Sequence, residues 1–211
     1  MAIAPVKGMT ILFTGDSITD CGRRADPSRP LGSGYAFMVS SRLSALYPEL
    51  DLRFVNRGVS GDRVADLAAR WQWDCLKLKP TLVSVLAGVN DTWRRLDSGD
   101  PTSGGAFSAS YRRILELTKR ETQAAIVLCE PFLLACGQVD EGWFDDLEPK
   151  IEIVRSLARE FSCILVPLVD AFEKASKRAA PQYWAEDGVH PTAAGHALIA
   201  QAWLKHVFDI G

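Results

Sequence analysis

The chain is short of the features that mark most alternative classes. No charge of one sign dominates: 24 Lys plus Arg stand against 26 Asp plus Glu, a net charge of -2. Nothing in that balance draws it to nucleic acid or to an anionic membrane surface. No apolar run approaches the roughly 20 residues that span a bilayer. The opening MAIAPVKGMTILFTG lacks a charged start, a long apolar core and a cleavage site, so it reads as a first core strand and not as a signal peptide. The five cysteines, Cys21, Cys75, Cys129, Cys136 and Cys163, are odd in number and form no C-x-x-C pair. A reduced, cytoplasmic protein is therefore expected, with Cys129 and Cys163 as small buried hydrophobes inside apolar runs. Histidine is scarce as well. His196 and His206 fall on a final helical stretch and fit no metal-binding spacing, so no metal is expected.

There is also no internal repeat, low-complexity segment or interdomain linker. With 211 residues, 47% of them apolar, the chain suits a single globular α/β domain over 1–211. Short apolar runs alternate with longer amphipathic stretches. Strands are expected at Met9–Thr14, Leu52–Val55, Thr81–Ala87, Ala124–Cys129 and Cys163–Leu168. Helices are expected at Tyr35–Leu46, Asp62–Leu78, Phe107–Glu121 and Trp143–Phe161, with a last one opening at Pro191 and running to about Val207. Cys21–Gly34 and Asp97–Gly105, rich in Gly, Ser, Asp and Pro, read as loops. Five apolar strands joined by helices imply a parallel sheet covered on both faces, with ligands at the carboxyl ends of the strands.

The turn after each strand is therefore where function is expected. After the first comes Gly15-Asp16-Ser17, where a serine would sit on the active edge of the sheet at the start of a helix; a plain turn or helix cap would use the same residues. After the second comes Asn56-Arg57-Gly58-Val59-Ser60-Gly61-Asp62. Gly61 could present its N–H to an oxyanion, or only shape the turn. The string superficially suggests a G-x-S-x-G elbow, but Asp62 fills its last position, so Ser60 is not read as the nucleophile. After the third comes Gly88-Val89-Asn90-Asp91; the Asn90 amide would be a neutral donor to a developing oxyanion, or an Asx turn ending the strand. Finally, Asp187-Gly188-Val189-His190-Pro191 sets an acid and an imidazole three positions apart on a tight loop, close enough to hydrogen-bond.

Taken together and in this order, the four blocks resemble those of the GDSL or SGNH hydrolases. They appear as Gly15-Asp16-Ser17, Gly61, Gly88-x-Asn90-Asp91 and Asp187-x-x-His190-Pro191, across nearly the whole chain. Ile18 stands where many members have leucine, a conservative departure. The resemblance implies a three-layer α/β/α, flavodoxin-like fold and a serine esterase that needs no cofactor. It assigns Ser17 as nucleophile, His190 as base, Asp187 as its orienter and Asp16 as a supporting residue. The N–H groups of Ser17 and Gly61 and the Asn90 amide would form the oxyanion hole. The longer strings GDSITD, NRGVSGDRVADLAARW, GVNDTWRR and YWAEDGVHPTAAGH are similar to those of bacterial intracellular acetylxylan or acetyl-xylo-oligosaccharide esterases. They imply a small acylated substrate, an acetylated carbohydrate, and a homo-oligomer. A lysophospholipase or acyl-thioesterase is the rival within the family, and an inert ester-binding module the rival outside it. Trp93 and Trp184, next to two of the blocks, are candidates for stacking on a sugar or for plain wall packing. Trp71, Trp73 and Trp203 are expected to pack on helices or at a subunit contact. Arg94 and Arg95 could border the entrance, although exposed arginines are commonly just solvated.

Overall fold

A computed structural model describes residues 2–211. The order of elements is β1 (Thr10–Gly15), α1 (Ser17–Asp20), α2 (Tyr35–Leu46), β2 (Arg53–Asn56), α3 (Val64–Asp74), β3 (Leu82–Leu86), α4 (Val89–Asp97) and α5 (Gly104–Glu121). Then come β4 (Ala125–Cys129), α6 (Glu141–Glu160), β5 (Ile164–Val166), α7 (Leu168–Ser176), α8 (Pro181–Trp184) and α9 (Ala193–Phe208). The five strands are all parallel, in the order β2-β1-β3-β4-β5. The order reverses between β1 and β3, which opens a crevice at their carboxyl ends, the switch point of flavodoxin-like sheets.

Strand alternation builds the two cores. Ile11, Phe13, Leu82, Leu86 and Val127 face one side and pack against Tyr35, Val39 and Leu43 of α2 and Ile199, Trp203 and Val207 of α9. Leu12, Val83, Val85, Ile126 and Leu128 face the other side, against α3, α5 and α6. Every one of these strand residues is buried, so the strands read as continuous apolar runs, as in a sheet covered on both faces. The one polar position on β3, Ser84, is satisfied from the α9 side by the Trp203 indole N–H at 2.9 Å. Trp71 and Trp203 are core residues, whereas Trp73 lies 64% exposed under the Lys77 ammonium.

Several expected boundaries are corrected. The stretch read as one helix over Asp62–Leu78 is α3, opening at Val64, followed by a separate 3-10 turn at Leu76–Leu78: Cys75, at φ -124° and ψ -67°, leaves the helical conformation between them, and Lys79 turns left-handed just before Pro80. The final helix does not open at Pro191. Thr192 caps it through its hydroxyl on the Gly195 N–H, while Pro191 forms a single antiparallel bridge with Ala185. The fifth strand ends at Val166, and Leu168 already belongs to α7. The helices α4, α7 and α8 have no counterpart among the elements expected from sequence. The Cys21–Gly34 stretch carries no regular element, as expected, and Cys163 is half-buried where full burial was expected.

Candidate active site

The crevice gathers three strand-end turns. Gly15 closes β1 where a side chain has no room: a Cβ there would lie 2.0 Å from the Leu86 carbonyl oxygen. Only glycine lets β1 pass this close to β3 and then turn directly into α1. Asp16 caps that helix, accepting the Ile18 N–H at 3.0 Å, so Ser17 is its first residue and its hydroxyl is presented at the sheet edge. The loop after β2 folds back onto α1, held by the Asn56 amide on the Thr19 carbonyl at 2.6 Å. Gly61 in this loop has φ +89°, a left-handed value that favours glycine.

Ser17 Oγ lies 3.0 Å from His190 Nε2, and His190 Nδ1 lies 2.7 Å from Asp187 Oδ2. Asp187 Oδ1 also accepts the N–H groups of Val189, at 2.9 Å, and His190, at 2.7 Å. Partial burial pushes the Asp187 carboxyl up, but the His190 ring and these two N–H groups outweigh it and hold the carboxyl below its ordinary value. The acid is thus ionised and fixes the imidazole so that Nε2, facing the serine, is the free acceptor. Ser17, Asp187 and His190 come from the two ends of the chain, 173 residues apart in the case of the serine and the histidine.

Asn90 sits in the first turn of α4, not in an Asx turn, and its amide donates to the Asp62 carbonyl at 3.1 Å. This bond ties the Asn90 side chain to the loop that carries Gly61. Neither the Ser17 nor the Gly61 N–H donates to an acceptor among the described residues. Two backbone N–H groups are thus left without an internal acceptor, and the Asn90 amide is tied to the loop that carries one of them. Asp91 braces the same place: its Oδ2 accepts the Val64 N–H at 3.1 Å, at the start of α3.

Asp16 is fully buried and one of its oxygens has no partner. Burial raises its pKa to about 7, partly offset by the Ile18 N–H, with the Asp91 charge adding to the rise. Ser60, next to Gly61 in sequence, is elsewhere engaged. It donates to Asp20 Oδ2 at 2.9 Å and makes no hydrogen bond to a histidine.

The two tryptophans part company. Trp93 packs its ring 5.6 Å, centroid to centroid, from His190 and 5.3 Å from Trp143 of α6. Sequence reasoning misses Trp143 because it lies 50 positions from Trp93, on a different helix; its only signal is its place on the apolar face of α6. Trp184 lines a groove of about 690 Å³ between α7 and α9 together with Ala171, Lys174 and Leu198, and that groove contains none of Ser17, Gly61, Asn90 or His190. A smaller depression of about 420 Å³ lies against Asp187 and His190, with Glu186, Pro191, Thr192 and Ala193. Neither that groove nor the depression against His190 brings Trp184 together with the catalytic residues.

Residues 13–198 match the GDSL-like lipase/acylhydrolase family. The chain is 36% identical over 208 residues to an acetylxylan esterase of Geobacillus stearothermophilus, covering 95% of this chain and 94% of that one. Its fold is similar to that of a GDSL-like lipase from Parabacteroides merdae, with a TM-score of 0.93, 36% identity and 98% of both chains covered. A catalytic variant of the Geobacillus stearothermophilus acetylxylan esterase superposes with a TM-score of 0.88 at 36% identity, over 98% of this chain and 96% of that one. The chain belongs to the GDSL-like lipase/acylhydrolase family and is a carboxylic ester hydrolase.

Proposed function

We propose that the chain acts as one catalytic domain and removes short acyl groups, acetyl above all, from esterified xylo-oligosaccharides. Ser17 is the nucleophile, His190 the general base and Asp187 its orienter. The observation that carries this reading is the continuous relay from Ser17 Oγ to His190, 3.0 Å, and on to Asp187, 2.7 Å. His190 Nε2 takes the hydroxyl proton as Oγ attacks the ester carbonyl carbon. The negative charge that collects on the carbonyl oxygen is met by the N–H groups of Ser17 and Gly61 and by the Asn90 amide. The carbon–oxygen bond to the sugar breaks, and His190 returns the proton to the leaving alkoxide. Water then attacks the acyl-serine, giving its proton to His190; the acid leaves and Ser17 recovers its hydrogen.

The acyl and alcohol preferences rest on separate supports. The short acyl preference rests on Trp93, which packs against Trp143 and stands 5.6 Å from the His190 ring, centroid to centroid, as the wall beside the base. The acetylated carbohydrate rests on the likeness to the acetylxylan esterase over nearly the full length of both chains. No described helix is long and apolar enough to cross a membrane. Five cysteines, odd in number and all free among the described residues, support a reducing, cytoplasmic setting.

The test is a series of p-nitrophenyl esters, with acetate release from acetylated xylobiose as its second arm. The expected kcat/KM falls steadily from acetate to butyrate to octanoate, since a methylene without a groove clashes with the wall or must be ordered in water, whereas a matching groove would gain up to ~0.8 kcal/mol for each one. A maximum at octanoate, or no acetate from any sugar, would instead favour a lipid or thioester substrate. Labelling of Ser17 by a fluorophosphonate separates either enzyme from an inert binding module.

A further inference from the structure

The helix α4 turns two neighbouring side chains toward the crevice. Trp93 lies against His190, and Arg94 lies over Gly61. A Cβ built on Gly61 would meet one atom within 4 Å beyond its chain neighbours, Arg94 Nη2 at 4.0 Å; the rest of that space is open. The guanidinium is only partly used. Its Nη1 donates to Asp97, three residues on, while Nη2 and Nε donate to no acceptor among the described residues. The backbone beneath it is pinned, with the Arg94 carbonyl accepting Ser98 Oγ at 2.9 Å and the Asp100 N–H at 2.9 Å.

Other arginines around the crevice differ. Arg70 spends its donors on Asp62, Asp74 and the carbonyls of Arg57 and Gly15. Arg63 is bound to Asp100, Arg95 to Asp146, and Arg23 reaches the Gly58 carbonyl. Arg70, Arg63 and Arg23 brace loops, and Arg95 ties α4 to α6. Arg94 instead holds free donors at a fixed orientation over an open glycine.

We propose that Arg94 is a specificity-determining residue, its Nη2 donating to a hydroxyl or ring oxygen of the sugar that carries the ester. The inference rests on the carbohydrate-ester function proposed for the same site. The charge sign of the partner is set by Asp97. That carboxylate neutralises most of the guanidinium's field and would repel a second anion, so the complement is a neutral oxygen acceptor and not an acidic group. A lysine cannot serve both partners, because a single ammonium replaces the planar fork that spans Asp97 and the crevice.

The experiment compares wild type, Arg94→Ala and Arg94→Lys on acetylated xylobiose and on p-nitrophenyl acetate, whose alcohol has no sugar oxygens. The expected result is a roughly tenfold fall in kcat/KM on the sugar for Arg94→Ala, carried mainly by KM, the size of one hydrogen bond to a charged group. On p-nitrophenyl acetate the loss is several times smaller, and turnover of that ester also reports that the variant is folded. Free xylobiose, as a competitive inhibitor of p-nitrophenyl acetate hydrolysis, weakens by the same tenfold in Arg94→Ala, and Arg94→Lys recovers little of it. An equal loss on both substrates, carried by kcat, would make Arg94 an electrostatic aid to the oxyanion and overturn the proposal. So would an unchanged rate on the sugar. Wild type that hydrolyses p-nitrophenyl acetate but no acetylated sugar would remove the underlying substrate reading, and that outcome is visible before any variant is made.

Discussion

Two turns leave adjacent strands of the same sheet, each carries a glycine, a serine and an aspartate, and they do opposite things. In the turn after β1, Ser17 faces a histidine at 3.0 Å, and Asp16 is sealed in the interior with an oxygen unpartnered. In the turn after β2, Ser60 donates to the Asp20 carboxylate, and Asp62 is paired with Arg70 at 2.7 Å. A serine donating to a carboxylate has only a weak base as its partner, so it stays a hydrogen-bond donor. A serine bound to a neutral imidazole can lose its proton at neutral pH. Residue type and position at a strand end are therefore not enough to make a nucleophile. The partner decides.

Replacing the first serine is the sharpest way to break the comparison. Ser17→Ala should lower kcat by roughly 10⁴-fold or more, the scale seen when a covalent nucleophile is removed, with circular dichroism unchanged. Steady-state turnover near the wild-type rate in that variant would shift the chemistry to another group. Next in size is Asn90→Ala. Loss of one oxyanion donor should reduce kcat by about 100- to 1,000-fold and leave KM much less affected, since the donor acts on charge present only in the transition state. A loss confined to KM would make Asn90 a ground-state contact.

Legibility in the sequence divides along the same line. The strand-end turns are legible because glycine, aspartate, serine and asparagine mark them locally, and the five apolar runs announce a doubly covered parallel sheet. The pairing of Ser17 with His190 across 173 positions is not legible from local pattern at all; it comes through resemblance to a family. Three helices escape for a physical reason. In α4, Val89, Trp93 and Leu96 do recur at helical spacing, but they are three apolar residues among six polar ones, directly after a Gly-x-Asn-Asp turn signal that masks the period. The four-residue α8 is too short to carry a period, and α7 begins where an apolar strand was expected to continue. Trp184 shows the limit of proximity in sequence: it lies three residues from Asp187, yet its side chain faces the α7–α9 groove.

The buried aspartate of the first turn gives a smaller effect, read in stability. Burial raises the Asp16 pKa to about 7 from 3.8. The folded state thus keeps a proton between about pH 4 and 7 that the unfolded chain releases, and stability from this group falls as pH rises through that window and levels off above it. Asp91, raised to about 6 by burial, acts in the same direction, whereas His196, lowered to about 4 by burial, acts in the opposite one. A difference between variant and wild type isolates Asp16. The melting temperature of Asp16→Asn minus that of wild type should increase by a few degrees from pH 5 to pH 8. A difference that is flat with pH would mean that Asp16 is ionised in the folded protein.

The smallest effect is expected at Ser60, and it tests the other half of the comparison. Ser60→Ala removes one hydrogen bond, to an aspartate that keeps other partners. Asp20 Oδ1 still accepts the Arg24 N–H at 3.1 Å and faces Arg23 Nε at 3.6 Å. Losing one such bond at a part-buried position forfeits about 1 kcal/mol, which in a chain of this size is a shift of about 2–4 °C in melting temperature. Turnover should stay within about threefold of wild type, because Gly61 is held in its turn by the Asn90 amide on the Asp62 carbonyl and not by the Ser60 hydroxyl. Assays of kcat beside thermal melts separate the two quantities. If Ser60→Ala lost activity on the scale of Ser17→Ala while melting normally, Ser60 would belong to the chemistry, and the contrast between the two turns would fail.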